Sequence, residues 1–187
     1  MRAYIVLALC IIAAPIKADE SAGAALDAFY GTCVAQGPNY ERTVAAAKLF
    51  SWEPAPPDAI TLLGPMEKPE AFQMWLISGS GYPKKTLLGI TKSHSGSTPV
   101  QTCTMAMADV DGYRFDEIFS QKLKLEKLAD TDDGIQTTKI YRGEIGTRDQ
   151  IIMLTMPTSR AKDSSFGLMI TASSLAAEKG LFPIPQR

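Results

Sequence analysis

Apolar residues recur at helical spacing over residues 21–36, where Ala22, Ala25, Leu26, Phe29, Tyr30, Cys33 and Val34 fall on one face. This predicts an amphipathic helix with Cys33 on its buried stripe. Gly37-Pro38 ends it, and Asn39 is placed to cap a second helix whose apolar face is Tyr40, Val44, Ala47 and Phe50. The two make a helical hairpin. Five prolines, at 54, 56, 57, 65 and 69, then deny both a ladder and a helix to the next stretch, which reads as an ordered connector or a linker.

Past the connector the period changes to two. Residues 71–78 set Phe72, Met74 and Leu76 against Trp75 and Ile77, and with residues 85–91 they predict a hairpin across a Gly/Pro turn. Residues 99–107 alternate Gln101, Cys103, Met105 and Met107 against Val100, Thr102, Thr104 and Ala106, a third strand with Cys103 inward. Asp111 is placed to cap a helix over residues 113–123, with Phe115, Ile118, Phe119 and Leu123 on one face. Asp130-Thr-Asp-Asp-Gly134 turns the chain into three more strands, at 135–142, 150–156 and 166–173. The second of these is apolar on both faces and so expected to be central. A short helix over 174–179 would end at Gly180, and no internal repeat is visible. The fold expected is α+β: an antiparallel sheet of five to six strands with helices packed on one side.

Composition narrows the function classes. The 187 residues are 45% hydrophobic and 21% charged, with 19 basic against 20 acidic groups. That excludes a disordered chain, a basic nucleic-acid binder and a polytopic membrane protein. Residues 1–18 read as a cleaved secretory signal: Arg2 supplies the positive charge, an apolar run extends to Ile16, and Ala18 ends it. The run is too short to span a bilayer. A single exported domain, residues 19–187, would then remain, periplasmic or secreted, with no transmembrane segment. Cleavage removes Arg2 and Lys17 from the 19 basic groups and none of the 20 acidic ones, leaving a net charge of −3. It also removes Cys10, so Cys33 and Cys103 are left as two thiols in an oxidising compartment, and a disulfide between them is expected.

Candidate chemistry is sparse. His94 is the one histidine, and Ser93, Ser95 and Ser97 around it raise the prospect of a small hydrolase using His94 as base, although no Gly-x-Ser-x-Gly elbow accompanies it. Placing Gly112 or Gly134 at the sixth position of a calcium loop puts Met107 or Ala129 first and Ile118 or Ile140 twelfth, where acidic ligands are required. Asp109, Asp111 and Asp130–Asp133 therefore read as turn and cap residues. Met105, Met107, Met153 and Met156 carry thioethers suited to Cu(I), but core filling is the reading preferred. No cofactor, metal site or catalytic set is expected.

The most unusual local feature is the tip at residues 78–85, Ser78-Gly-Ser-Gly81 followed by Tyr82-Pro-Lys84-Lys85. It resembles the Ser-Gly-Ser-Gly loop of periplasmic inhibitors of C-type lysozyme. That resemblance, over eight residues, implies that Ser78 or Ser80 and Lys84 or Lys85 would enter an acidic enzyme cleft. Over the whole chain, Phe29-Tyr-Gly-Thr-Cys33, Trp52, Trp75 and Thr102-Cys103 ahead of Asp109 and Asp111 are similar to small exported bacterial proteins of uncharacterised function. That likeness implies location and the disulfide, and no site residues. The function expected is non-catalytic binding of an envelope or secreted protein through Ser78, Ser80, Tyr82, Lys84 and Lys85, with His94 in a neighbouring loop. Inhibition of a cell-wall hydrolase is the alternative, beside hydrolysis.

Overall fold

The computed structural model describes residues 14–65, 68–158 and 167–175. Residues 1–13 of the expected signal lie outside them. Helix α1 runs from Ala14 to Phe29, so the cleavage point expected after Ala18 falls within it. Ala22, Ala25, Leu26 and Phe29 are buried as the helical period required. The helix then widens into a π-helical turn over Tyr30–Val34, closed by Ala35 N–H donating to the Tyr30 carbonyl at 2.8 Å. Helix α2, Tyr40–Leu49, has Asn39 as its cap, the side chain accepting from Arg42 N–H at 2.8 Å. Its first amide, of Tyr40, donates to Gln101 Oε1 at 2.6 Å and so ties the helix end to the sheet.

Eight antiparallel strands follow, where five to six were expected. They are β1 (Glu53–Pro54), β2 (Ala71–Ile77), β3 (Thr86–Ser95), β4 (Thr98–Met107), β5 (Glu126–Asp132), β6 (Gln136–Ile145), β7 (Arg148–Pro157) and β8 (Leu168–Leu175). A short helix α3, Pro57–Leu63, lies within the proline-rich connector, and α4, Gly112–Lys122, joins the two halves. The sheet order is β1-β2-β3-β4-β8-β7-β6-β5. Two four-stranded meanders thus meet at a β4–β8 seam, and β7 lies next to that seam rather than on it.

The two strands missing from the sequence reading are the sheet's edges. β1 is two residues long and carries Pro54; β5 is almost wholly exposed, carries Glu126, Lys127, Asp130 and Asp132 and has a bulge between Lys127 and Ala129. These devices stop edge-to-edge pairing, and they also erase the alternating apolar signal by which a strand is recognised. α3 was hidden for a related reason, since Pro57 occupies its first turn, where proline is tolerated. Ser174 and Leu175, expected to begin a final helix, belong to β8; the rest of that expected helix lies outside the described residues.

One core lies between the sheet and helices α1, α2 and α4. Leu88, Ile90, Met105, Met107, Ile152, Leu154, Met156, Leu168 and Ile170 meet Leu26, Phe29, Phe115 and Phe119 there. Cys33 and Cys103, both fully buried, form the expected disulfide with Cα atoms 5.5 Å apart, fastening the π turn onto β4. Asp111 caps α4 by accepting from the amides of Tyr113 and Arg114, each at 3.0 Å. Gly112 lets the helix pass close to β7, for a Cβ there would lie 2.5 Å from Met156 Cγ. α4 is also moored electrostatically: buried Asp116 accepts from Lys139 Nζ and from the Tyr141 hydroxyl, both at 2.6 Å. Burial first, and then this hydrogen bond, raises the Tyr141 phenol above its ordinary value. Of the apolar face expected for α2, Tyr40, Val44 and Ala47 pack inward, whereas Phe50 is 65% exposed.

Candidate functional site

The face of the sheet turned away from α1, α2 and α4 is built from the alternate residues of every strand. Pairing across β2, β3, β4, β8, β7 and β6 sets Met74, Gly89, Thr104, Thr171, Met153 and Ile140 in one row. The next row is Phe72, Thr91, Thr102, Ser173, Ile151 and Arg142. A stripe of hydroxyls therefore runs along the β4–β8 seam through otherwise largely apolar rows. Thr104 pairs with Thr171 (Oγ1 to Oγ1, 3.0 Å) and Thr102 with Ser173 (3.1 Å), so each hydroxyl keeps part of its hydrogen-bonding capacity.

The connector roofs one half of this face. Ala55 N–H donates to the Met74 carbonyl at 2.9 Å, bringing the chain to the sheet before α3, and Gly64 ends that helix against Phe72. Gly64, Pro65, Lys68, Pro69 and Glu70 line, with the sheet, a half-open cavity of about 820 Å³. Its lining includes Phe72, Met74, Met153 and Met169 as apolar surface and Thr91, Thr102, Thr104 and Thr171 as hydroxyls. Gly89 makes room in its floor: a Cβ there would stand 3.3 Å from Met74 Cε and 3.5 Å from Phe72 Cε2. At the rim, Glu70 lies 3.1 Å from Lys92 Nζ and 3.7 Å from His94 Nδ1, while Glu41 reaches the same lysine at 3.5 Å. The hydrogen bond to Glu70 is the main cause of an upward shift of the Lys92 ammonium. Lys68 is exposed at the same mouth.

The expected site residues are divided between two ends of one strand. His94 lines the cavity, but it belongs to β3 and not to a loop; the turn is reduced to Gly96-Ser97. Its carboxylate neighbour is Glu70, and among the described residues no serine hydroxyl lies within hydrogen-bond reach of its ring. Lys85 stands before the other end of β3, about 30 Å away at the rise of an extended strand. The tip and His94 thus do not share a surface.

At the tip, Ser78, Ser80, Lys84 and Lys85 are exposed, whereas Tyr82 is pinned. Its ring stands edge-on to Trp52 with centroids 6.4 Å apart, and its hydroxyl lies 3.1 Å from Thr32 Oγ1. Thr86 Oγ1 donates to the Pro83 carbonyl at 2.7 Å, and Lys85 is held at φ 56°. Met105, Met107 and Met156 fill the core between sheet and helices, while Met153 lines the cavity on the opposite face.

Sequence reasoning missed the cavity residues Phe72, Met74, Gly89, Thr91, Thr102, Thr104, Met169 and Thr171. The signal available was the hydroxyl at alternate positions of two strands, Thr102 and Thr104 in one and Thr171 and Ser173 in the other. Chemically, the arrangement offers apolar contact and hydroxyl hydrogen bonding in a half-open cavity, and among the described residues it brings no nucleophile, base and orienting partner into contact. No protein-family model, curated protein or solved structure matches the chain, so its chemistry is read from its own residues.

Proposed function

We propose that this is an exported, non-catalytic binding protein that holds a small amphipathic molecule between the connector and the outer face of the sheet. The observation that carries the reading is the cavity itself, about 820 Å³, with hydroxyls along the seam of a largely apolar floor. Its size falls in the range of pockets that enclose most of a small ligand. The apolar body of such a molecule would lie on Phe72, Met74, Met153 and Met169, and a hydroxyl or carbonyl group would meet Thr91, Thr102, Thr104 or Thr171. Burial of these hydroxyls penalises a ligand that cannot hydrogen-bond there, which is how a few polar groups give an apolar pocket its selectivity. On this reading the ligand is a small molecule and not the envelope protein suggested by the exposed tip. The Cys33–Cys103 disulfide is compatible with export, as is the finding that no described helix is long and apolar enough to cross a membrane.

The test is titration with an environment-sensitive apolar fluorophore, N-phenylnaphthylamine. The wild type should bind it saturably and with one-to-one stoichiometry, and Thr104→Phe, which fills the cavity from its floor, should abolish binding while retaining a cooperative thermal transition. Equal binding by folded Thr104→Phe protein would refute the proposal. Thr104→Val, which removes the hydroxyl at nearly constant volume, should leave the fluorophore bound but weaken displacement of it by long-chain alcohols relative to alkanes of the same length.

A further inference from the structure

A second surface lies at the C-terminal end of α2, on the helix side of the sheet. Trp52 N–H donates to the Ala47 carbonyl at 2.9 Å and Ser51 N–H to the Lys48 carbonyl at 3.3 Å, the pair of bonds that defines a Schellman helix end. The left-handed residue at its centre is Ser51, at φ 52°, in a place usually taken by glycine. This ending turns Trp52 back toward the core and leaves Leu49 and Phe50 outside, 77% and 65% exposed. Phe50 is stacked on Trp52 with centroids 6.1 Å apart, and Trp52 stands edge-on to Tyr82. Tyr82 precedes the exposed Lys84 and Lys85 by two and three residues, and Lys48 precedes Leu49 on the helix. These three lysines are exposed, and among the described residues they form no ion pair; the carboxylate nearest in the chain is Glu53 for Lys48 and Glu70 for Lys84 and Lys85.

We propose that Leu49 and Phe50, flanked by Lys48, Lys84 and Lys85, form a contact surface for membranes that carry anionic lipid headgroups. Two protruding apolar side chains are too little area for a stable protein interface, which needs about 800 Å² from each partner. They suit shallow insertion at the level of the headgroups, where the half-exposed Trp52 and Tyr82 rings are also at home. The lysines supply the charge complementary to anionic lipid, each contributing about fivefold in affinity at a charged surface.

The experiment is co-sedimentation of the oxidised protein with vesicles of phosphatidylcholine alone and of phosphatidylcholine mixed with phosphatidylglycerol. The wild type should bind the mixed vesicles, with affinity falling as salt is raised, and tryptophan emission should shift to the blue as the half-exposed edge of Trp52 is covered. Leu49→Ser with Phe50→Ser should lower affinity about tenfold or more and abolish the shift. Lys84→Ala with Lys85→Ala should remove most of the preference for the anionic lipid, an expected loss of about twenty-five-fold. Absence of binding to mixed vesicles overturns the proposal, as does binding unchanged in both variants. Sedimentation velocity gives the remaining arm: a wild-type dimer that the Leu49/Phe50 variant dissociates assigns the surface to a second copy of this chain and overturns the membrane assignment.

Discussion

Reducing the Cys33–Cys103 bond without changing the sequence is expected to cost about 4 kcal/mol of stability. The bond closes a loop of 70 positions, and for that length the chain-entropy relation gives roughly 15 cal/mol/K of unfolded-state entropy, or about 4 kcal/mol near room temperature. A chain of this size gains on the order of 0.4 kcal/mol/K on unfolding, so the melting temperature should fall by about 10–12 °C. Because both sulfurs are fully buried, the reduced form is best reached by reducing the unfolded chain and refolding it under reductant. Replacing Cys33 and Cys103 together by alanine should cost roughly 1 kcal/mol more per site, for the atoms withdrawn from a packed core. Urea denaturation of the oxidised, reduced and double-alanine proteins separates the contributions. Since the cross-link acts on the unfolded chain, which it keeps compact, its removal should also increase the denaturant slope. A reduced protein within about 1 kcal/mol of the oxidised one, with two free thiols counted, would refute the unfolded-chain argument; full loss of stability at an unchanged slope would relocate the effect to the folded state.

Three further outcomes follow from the core and the helix ends. Asp116→Ala strands Lys139 and the Tyr141 hydroxyl, whose bonds to it are both 2.6 Å; the urea midpoint should report a loss of about 2–3 kcal/mol. The Tyr141 phenol is raised above its ordinary 10.0 in the folded protein, so the stability it contributes is complete below pH 10.0 and is lost as the pH rises beyond that toward the folded value. Tyr141→Phe should flatten this alkaline decline in urea midpoint, and an unaltered slope would count against the linkage. Ser51→Gly relieves a left-handed backbone and should raise thermal stability by about 0.5–1 kcal/mol, read from the melting temperature.

What was legible in the sequence follows from what was local. The buried stripe of α1, the caps at Asn39 and Asp111, and the inward face of β4 each announce themselves within one turn or one strand. The disulfide was legible because the expected signal cleavage, taking Cys10 with it, would leave two thiols. The edges were not, because Pro54 in β1 and the charges of β5 suppress the pattern that marks a strand. Phe50 was misjudged for a different reason: it continues the helical period of α2, but the Schellman ending breaks that period one residue later. The cavity was the least legible feature. Thr102 and Thr104 look like the wet side of a half-exposed strand until β8, far along the chain, lays Ser173 and Thr171 beside them. The prolines that make the roof read locally as a spacer.

The β4–β8 seam has a consequence for the order in which the chain is completed. Cys33, Cys103, helices α1 and α2 and the whole first meander precede α4 in the sequence, so that half can be oxidised and largely assembled before the second meander exists. At that stage β4 is an outer strand, and the stretch of it that β8 will cover, Val100–Met107, carries neither a proline nor a charged residue to blunt it. Its natural cover, β8, is the last strand to arrive. Chains that stop short of Leu168 would therefore associate with one another along β4, and damage to the C-terminal part of the sequence should show itself as insolubility before it shows as a lower melting temperature.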